Sequence, residues 1–139
     1  MANEIKVHAS IQINHDNLKY PPTGPTSFSA DQDLALGPTP GLVLASVAGT
    51  VIDLSALTTP GVCEITNLDE TNYIQFGVTD GTYFYPLGEV LPGEKWPMRL
   101  YRSLGSREAT PGTGSSNILD FMIRADTAAC YCVVSAFNK

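Results

Sequence analysis

Short apolar segments separated by glycine and proline turns fill residues 62–101 of this chain. The segments are rich in Val, Ile, Tyr and Phe, which favour strands, and they are bounded by turns such as Thr79-Asp80-Gly81 and Leu91-Pro92-Gly93-Glu94. No stretch shows the i, i+3, i+4, i+7 recurrence that a long amphipathic helix needs. The sequence therefore predicts an all-β protein.

The spacing of these segments indicates which all-β architecture the chain adopts. We count about eight or nine antiparallel strands, which is typical of a single β-sandwich, either jelly-roll-like or immunoglobulin-like. A chain of 139 residues buries enough surface to fold without a metal or a disulfide, so one domain over 1–139 is expected. Within it, residues 103–117 are rich in Gly, Ser, Thr and Pro and predict a long flexible loop.

The N-terminal segment has the clearest period of two. Apolar residues alternate with polar ones and predict one long strand with a buried and an exposed face: Ile5, Val7, Ala9, Ile11 and Ile13. The break at Tyr20-Pro21-Pro22 ends it, which makes residues 1–25 a strand or an arm. Such a strand either completes the sheet of its own chain or extends the sheet of a neighbour, and the sequence leaves both open.

Three further local predictions follow. Two prolines and two glycines in residues 37–41 predict a turn cluster that ends the ladder, and the apolar residues 42–47 predict a central strand. Trp96 alternates with polar neighbours and is expected to anchor the core.

The hairpin over residues 73–85 has two candidate registers. A three-residue loop, Thr79 to Gly81, pairs Phe76 with Phe84 and leaves the tyrosines on the outer face. A two-residue loop would bury both tyrosines instead. We favour the first register, because a phenylalanine has no group that needs a hydrogen bond, whereas a tyrosine has one.

Composition excludes several classes of function. Charged residues make up 16% of the chain, against about 25% in a typical soluble domain, which leaves neutral surface for subunit contacts. A net charge of −6 with scattered basic residues argues against nucleic acid binding. The sequence has no apolar run of membrane-spanning length and no secretory leader, so we expect synthesis in the cytoplasm and no membrane contact.

Reactive side chains are sparse. Both histidines, His8 and His15, lie near the N-terminus and have no nucleophile or acid at catalytic spacing. The three cysteines, Cys63, Cys130 and Cys132, predict reduced thiols packed as small apolar groups. We therefore expect no enzyme activity, no metal and no cofactor.

A set of short motifs in residues 60–139 resembles a group of small tailed-bacteriophage virion structural proteins. The motifs are Asn67-Leu-Asp-Glu-Thr-Asn-Tyr-Ile-Gln-Phe-Gly-Val78, Phe84-Tyr-Pro-Leu, Leu91-Pro-Gly-Glu94, Met98-Arg-Leu100 and Arg124-Ala-Asp-Thr-Ala-Ala129. The resemblance implies a virion component, made in the host bacterial cytoplasm, that acts as a cement (decoration) protein on the capsid surface. Its partner would be the major capsid protein, and it would form a homo-oligomer, for example a trimer. A tail, neck or baseplate component is the alternative within the same group.

The candidate contact residues lie in three places: the N-terminal arm, the outer tyrosine pair and the basic positions of the second half. They are Ile5, Val7, Ile11, Tyr20, Pro21, Pro22, Tyr83, Tyr85, Arg99 and Arg107. Basic residues could steer assembly towards an acidic neighbour or could simply be solvated. From another class, a carbohydrate-binding module would use Tyr83, Tyr85 or Tyr101 as a sugar platform.

Overall fold

The computed structural model describes residues 5–22, 24–104, 107–109 and 116–139, and for 107–109 and 116–118 it describes the backbone. These residues form antiparallel strands and contain no helix, so the all-β prediction is confirmed. They contain more strands than the eight or nine that were predicted. The chain divides into two compact units, Met1–Asp33 and Leu34–Lys139. One domain over the whole chain stays a prediction.

The first unit contains two separate two-stranded sheets. β1 (Ile5–His8) pairs with β4 (Ser27–Ala30), and β2 (Ile13–His15) pairs with β3 (Leu18–Tyr20). The predicted single strand from residue 5 to 13 is therefore wrong. Its ladder ends because the partner segment before β4 contains Gly24 and Pro25, and proline has no N–H to continue a ladder.

The described residues of the second unit form the strands β5 (Thr39–Ala45), β6 (Thr50–Val51), β7 (Pro60–Asn67), β8 (Ile74–Thr79), β9 (Phe84–Val90), β10 (Lys95–Arg99), β11 (Arg107–Ala109), β12 (Ser116–Ile118), β13 (Asp120–Ala125) and β14 (Cys130–Asn138). These strands make two four-stranded sheets, ordered β10-β7-β14-β5 and β6-β13-β8-β9, and a small β11–β12 sheet.

The hydrophobic core of the second unit receives side chains from both four-stranded sheets. Alternate residues of β7 and β14, such as Cys63, Ile65 and Val134, join alternate residues of β8 and β13, such as Ile74 and Ile123, in one cluster. All five are 0% exposed. Because successive side chains of a strand point to opposite sides of its sheet, each sheet also has a second, outward face.

Strand β5 corrects the prediction for residues 37–47. The ladder runs through Pro40 and Gly41, which pair with Ser135 and Val134. Proline is tolerated there because β5 is the edge of its sheet, where one side of the strand needs no donor. The strand is consequently not central, and Leu42 is 64% exposed.

The hairpin of β8 and β9 has neither the two-residue nor the three-residue loop of the two candidate registers. Thr79 pairs with Phe84 and Val78 with Tyr85, so the loop between the strands has four residues, and a register shift follows next to Gly77. Tyr85 therefore shares the face of Val78, and Phe84 lies on the opposite face, the reverse of the prediction. Tyr85 is nevertheless exposed, because β9 is an edge strand.

Two other expectations change. Trp96 is 44% exposed on the edge strand β10, where its indole N–H donates to Glu94 Oε2 at 3.1 Å, so it is not a buried anchor. The predicted long loop 103–117 is wrong where β11 and β12 pair with each other. Its residues 105–106 and 110–115 lie outside the described part of the chain.

Candidate interaction surfaces

The motif residues of the β7–β8 loop build the loop itself. Asn67 is 1% exposed, and its amide donates to the carbonyl oxygens of Asn72 at 2.8 Å and Val90 at 3.1 Å. Its Oδ1 accepts the backbone N–H of Asp69 at 3.0 Å. Asn67 therefore holds the β7–β8 loop against strand β9 by hydrogen bonds.

Asp69 and Asn72 complete the same network. Asp69 Oδ1 accepts the backbone N–H groups of Thr71 and Asn72 at 2.7 and 2.6 Å, and these bonds lower the pKa of Asp69. Thr127, in the turn between β13 and β14, donates to Asn72 Oδ1 at 2.8 Å. Two of the sequence motifs thus meet in one hydrogen-bonded structure.

Residues of two further motif positions also determine backbone conformation. Leu91 to Glu94 form a turn closed by a 3.0 Å bond from Glu94 N to Leu91 O, with Gly93 at φ 75, the conformation that a proline–glycine type II turn requires. At Gly77, an added Cβ would lie 2.0 Å from the carbonyl oxygen of Tyr85. These residues therefore determine the conformation of the loops and turns.

An uncharged apolar surface covers the outward side of β5 and β14. Leu42 pairs with Val133, and Leu44 pairs with Tyr131. Leu42, Leu44 and Tyr131 are 64, 48 and 55% exposed, and Val133 is half-buried. We call these four residues the β5–β14 face. The other outward positions of the two strands, Pro40, Ser135 and Phe137, also carry no charge.

The outward side of the other four-stranded sheet is different. Arg124 on β13 donates to Gln75 Oε1 at 2.6 Å and lies 5.1 Å from the ring centre of Phe84. Glu89 and Asp120 add negative charges to the same side of that sheet. Within one unit, therefore, one outward sheet side is polar and charged, and the corresponding part of the other is not.

The N-terminal unit presents a second apolar surface. Ile13 pairs with Tyr20 and His15 with Leu18, which places all four side chains on one face of the β2–β3 hairpin. Ile13, Leu18 and Tyr20 are 40, 57 and 48% exposed. We call these three residues the hairpin face. A two-residue loop with Asp16 at φ 45 connects the strands.

The tyrosine pair lies at the tip of the β8–β9 hairpin. The ring centres of Tyr83 and Tyr85 are 6.5 Å apart, with the ring planes inclined at 59°. The Tyr85 hydroxyl donates to Asp80 Oδ2 at 3.2 Å, and this hydrogen bond raises the pKa of Tyr85. The rings are exposed as predicted, but they do not form one flat platform.

The other candidate contact residues are dispersed. In the first unit, Ile11 is 60% exposed and Pro21 and Pro22 are exposed, whereas Ile5 is half-buried. Val7 is 7% exposed and is therefore not accessible as a contact residue. In the second unit Arg99 is exposed at the end of β10, and the side chain of Arg107 lies outside the described structure.

The three thiols are free and buried, as the sequence predicted. Burial raises the pKa of Cys63 and of Cys132 to about 12 and also raises the pKa of Cys130. Thiols in this state are poor nucleophiles and poor metal ligands. Among the described residues, no group of three or more His, Cys, Asp or Glu side chains is arranged to hold a metal ion.

A cleft of about 500 Å³ lies beside β6 and is lined by both apolar and charged side chains. Its charged lining residues are Asp53, Arg102 and Asp120. Asp53 Oδ1 accepts the backbone N–H of Ser55 at 2.9 Å, and hydrogen bonding to Ser55 lowers the pKa of Asp53. One oxygen of that carboxylate thus stabilises a local turn.

Sequence reasoning missed the β5–β14 face, and of the hairpin face it predicted only Tyr20 as a contact residue. The sequence predicts a central strand over residues 42–47, although Pro40 within the same strand indicates an edge position. The Asp16-Asn17 dipeptide was the signal for the β2–β3 hairpin.

No known family model, curated protein or solved structure shows significant similarity to this chain. Within the described residues, no helix is long and apolar enough to cross a membrane.

Proposed function

We propose that this chain is a non-enzymatic structural protein of a tailed bacteriophage particle, a cement (decoration) protein that stabilises the capsid by binding the major capsid protein. The observation that carries this proposal is the β2–β3 hairpin, a compact element whose apolar side chains are exposed. An isolated two-stranded hairpin is marginally stable in water and gains stability when its apolar face is covered. A particle subunit supplies such a cover.

The second unit supplies the rigid scaffold that a cement protein needs. We infer that residues 34–139 form a β-sandwich, because the buried side chains of both four-stranded sheets belong to one core cluster. The motif residues around Asn67 hold its loops by hydrogen bonds rather than by chemistry. A cement protein needs this kind of scaffold and no reaction centre, and it acts as a symmetric oligomer on a repeating lattice.

The resemblance of the motifs to small virion proteins supports the setting. It supports a location on the capsid surface after synthesis in the host bacterium. A tail, neck or baseplate component would use the same surfaces in fewer copies. The ring planes of Tyr83 and Tyr85 are inclined at 59°, so the two rings do not form a flat platform for a sugar. This geometry favours a protein partner over a glycan.

Co-sedimentation with capsids of the source phage that lack this protein tests the proposal. We expect saturable binding in hundreds of copies per capsid, and loss of binding when Leu18 and Tyr20 of the hairpin face are both replaced by serine. Leu87→Ser, which changes a leucine that is 74% exposed on β9, is the control and should bind normally.

Binding by only a few copies, or a few copies in purified virions, would assign the protein to the tail or neck. Absence of capsid binding together with glycan-array hits would assign it to carbohydrate recognition. Either result would overturn the cement proposal.

A further inference from the structure

We infer that the β5–β14 face packs against the same face of a second copy of this chain in a two-fold dimer. The inference rests on residues of the second unit alone, so it stands independently of the hairpin face and of capsid binding. Leu42, Leu44, Tyr131 and Val133 form its centre.

The charge pattern favours a second copy as the occupant. The chain carries a net charge of −6, so two copies repel each other wherever acidic residues would meet. In a two-fold contact the same patch of both copies meets, so acidic residues in the patch would be brought close to acidic residues of the partner. The outward positions of β5 and β14 avoid this because none of them is charged.

The border of the face fits the same arrangement. Towards β7 and β10 the outward side of the sheet becomes charged, and there the Lys95 ammonium lies 3.3 Å from a Glu64 carboxylate oxygen. The acid is thus paired within its own chain at the rim. An uncharged centre with a polar rim is the usual composition of a subunit interface.

The exposed area of the β5–β14 face covers about half of what a standard dimer interface buries on each partner. With roughly 150–200 Å² for each fully exposed large side chain, the four residues offer on the order of 400 Å² of exposed surface. Leu68, which is 50% exposed and whose N–H donates to the carbonyl of Tyr131 at 3.1 Å, adds to this area. A standard interface buries about 800 Å² on each partner, so the face supplies about half of it, and its rim supplies the rest.

Analytical ultracentrifugation of the full chain without capsids tests the inference. We expect a reversible monomer–dimer equilibrium, and Leu42→Glu should raise the dimer dissociation constant at least about 30-fold, the effect of losing a central contact. Leu87→Glu is the matched control, since it changes an exposed leucine of another edge strand, β9, and it should leave the constant within about threefold.

Tyr131→Ser, which introduces no charge, should also weaken the dimer, and circular dichroism checks that every variant is folded. Higher salt should leave the dimer unchanged or tighten it, because salt screens the repulsion between acidic chains.

A wild-type chain that stays monomeric at high concentration, or that forms a trimer, would overturn the inference. Equal weakening by Leu42→Glu and Leu87→Glu would overturn it too. If Leu42→Glu abolishes capsid binding while the wild type is monomeric, the face belongs to the capsid contact and the inference is wrong.

Discussion

Replacing Asn67 by alanine tests the hydrogen-bonded loop that the sequence motif builds. The substitution removes the two bonds that the amide donates and the one that Oδ1 accepts. It also leaves the carbonyl of Val90 without that donor, beside a residue that is 0% exposed. The three lost bonds cost about 1 kcal/mol each, and the buried carbonyl that loses a donor adds about 1 kcal/mol, which gives a loss of about 4 kcal/mol.

Urea denaturation followed by circular dichroism measures this loss. With a denaturant slope of about 2 kcal/mol per molar, a loss of 4 kcal/mol lowers the midpoint by roughly 2 M. That is a large share of the total stability of a domain, which is about 5–15 kcal/mol. The midpoint should fall without a change in slope.

Asn14→Ala is the matched control, because Asn14 is an exposed asparagine of the β2–β3 hairpin whose side chain accepts a hydrogen bond from Lys19. It should change the stability by less than about 0.5 kcal/mol. A loss below about 1 kcal/mol for Asn67→Ala, or one equal to the control, would refute the argument that Asn67 fastens the loop to β9.

Three further predictions concern acid stability, thiol reactivity and a close backbone approach. Backbone N–H groups lower the pKa of Asp69 and Asp80 below 3.8, so their contribution to stability is complete above that pH and is lost as the pH falls through the lower folded-state values. Melting temperatures measured from about pH 5 to about pH 2 should decline, and Asp69→Asn should flatten the decline; an unchanged slope would contradict this assignment. Since the pKa values of Cys63 and Cys132 are raised to about 12, Ellman's reagent at pH 8 should label the folded chain at least about 100-fold more slowly than the urea-unfolded chain. Fast labelling of the native chain would show that the thiols are accessible. Gly77→Ala should destabilise the protein by about 2 kcal/mol or more, because the new Cβ meets a carbonyl oxygen at 2.0 Å, and a thermal melt unchanged from wild type would refute that reading.

The strands with strict alternation were predictable. In β13 and β14, apolar residues at every second position indicated an inward and an outward side, and Phe121 and Val134 are buried accordingly. The turn at Leu91 to Glu94 was predictable as well, because Pro92 and Gly93 permit few backbone conformations. Local chemistry determined both features.

Register and position in the sheet were not predictable. The hairpin of β8 and β9 has a four-residue loop and a shift beside Gly77, and each of these changes which face a tyrosine occupies. The exposure of Leu42 and Leu44 depends on β5 being an edge strand; Pro40 favours that position, but the prolines and glycines of residues 37–41 also predict a turn that ends the ladder. The apolar surfaces are therefore consequences of topology.

The three buried sulfhydryls have a practical consequence for mapping the assembly. All the cysteines of the chain are enclosed, so a cysteine introduced on the surface would be the one that reacts readily with a maleimide probe. A cysteine at position 42 would report on the proposed contact between copies, and one at position 87 would report on the remote edge. Cross-linking within an intact particle could then reveal the neighbours of each position without first removing a native thiol.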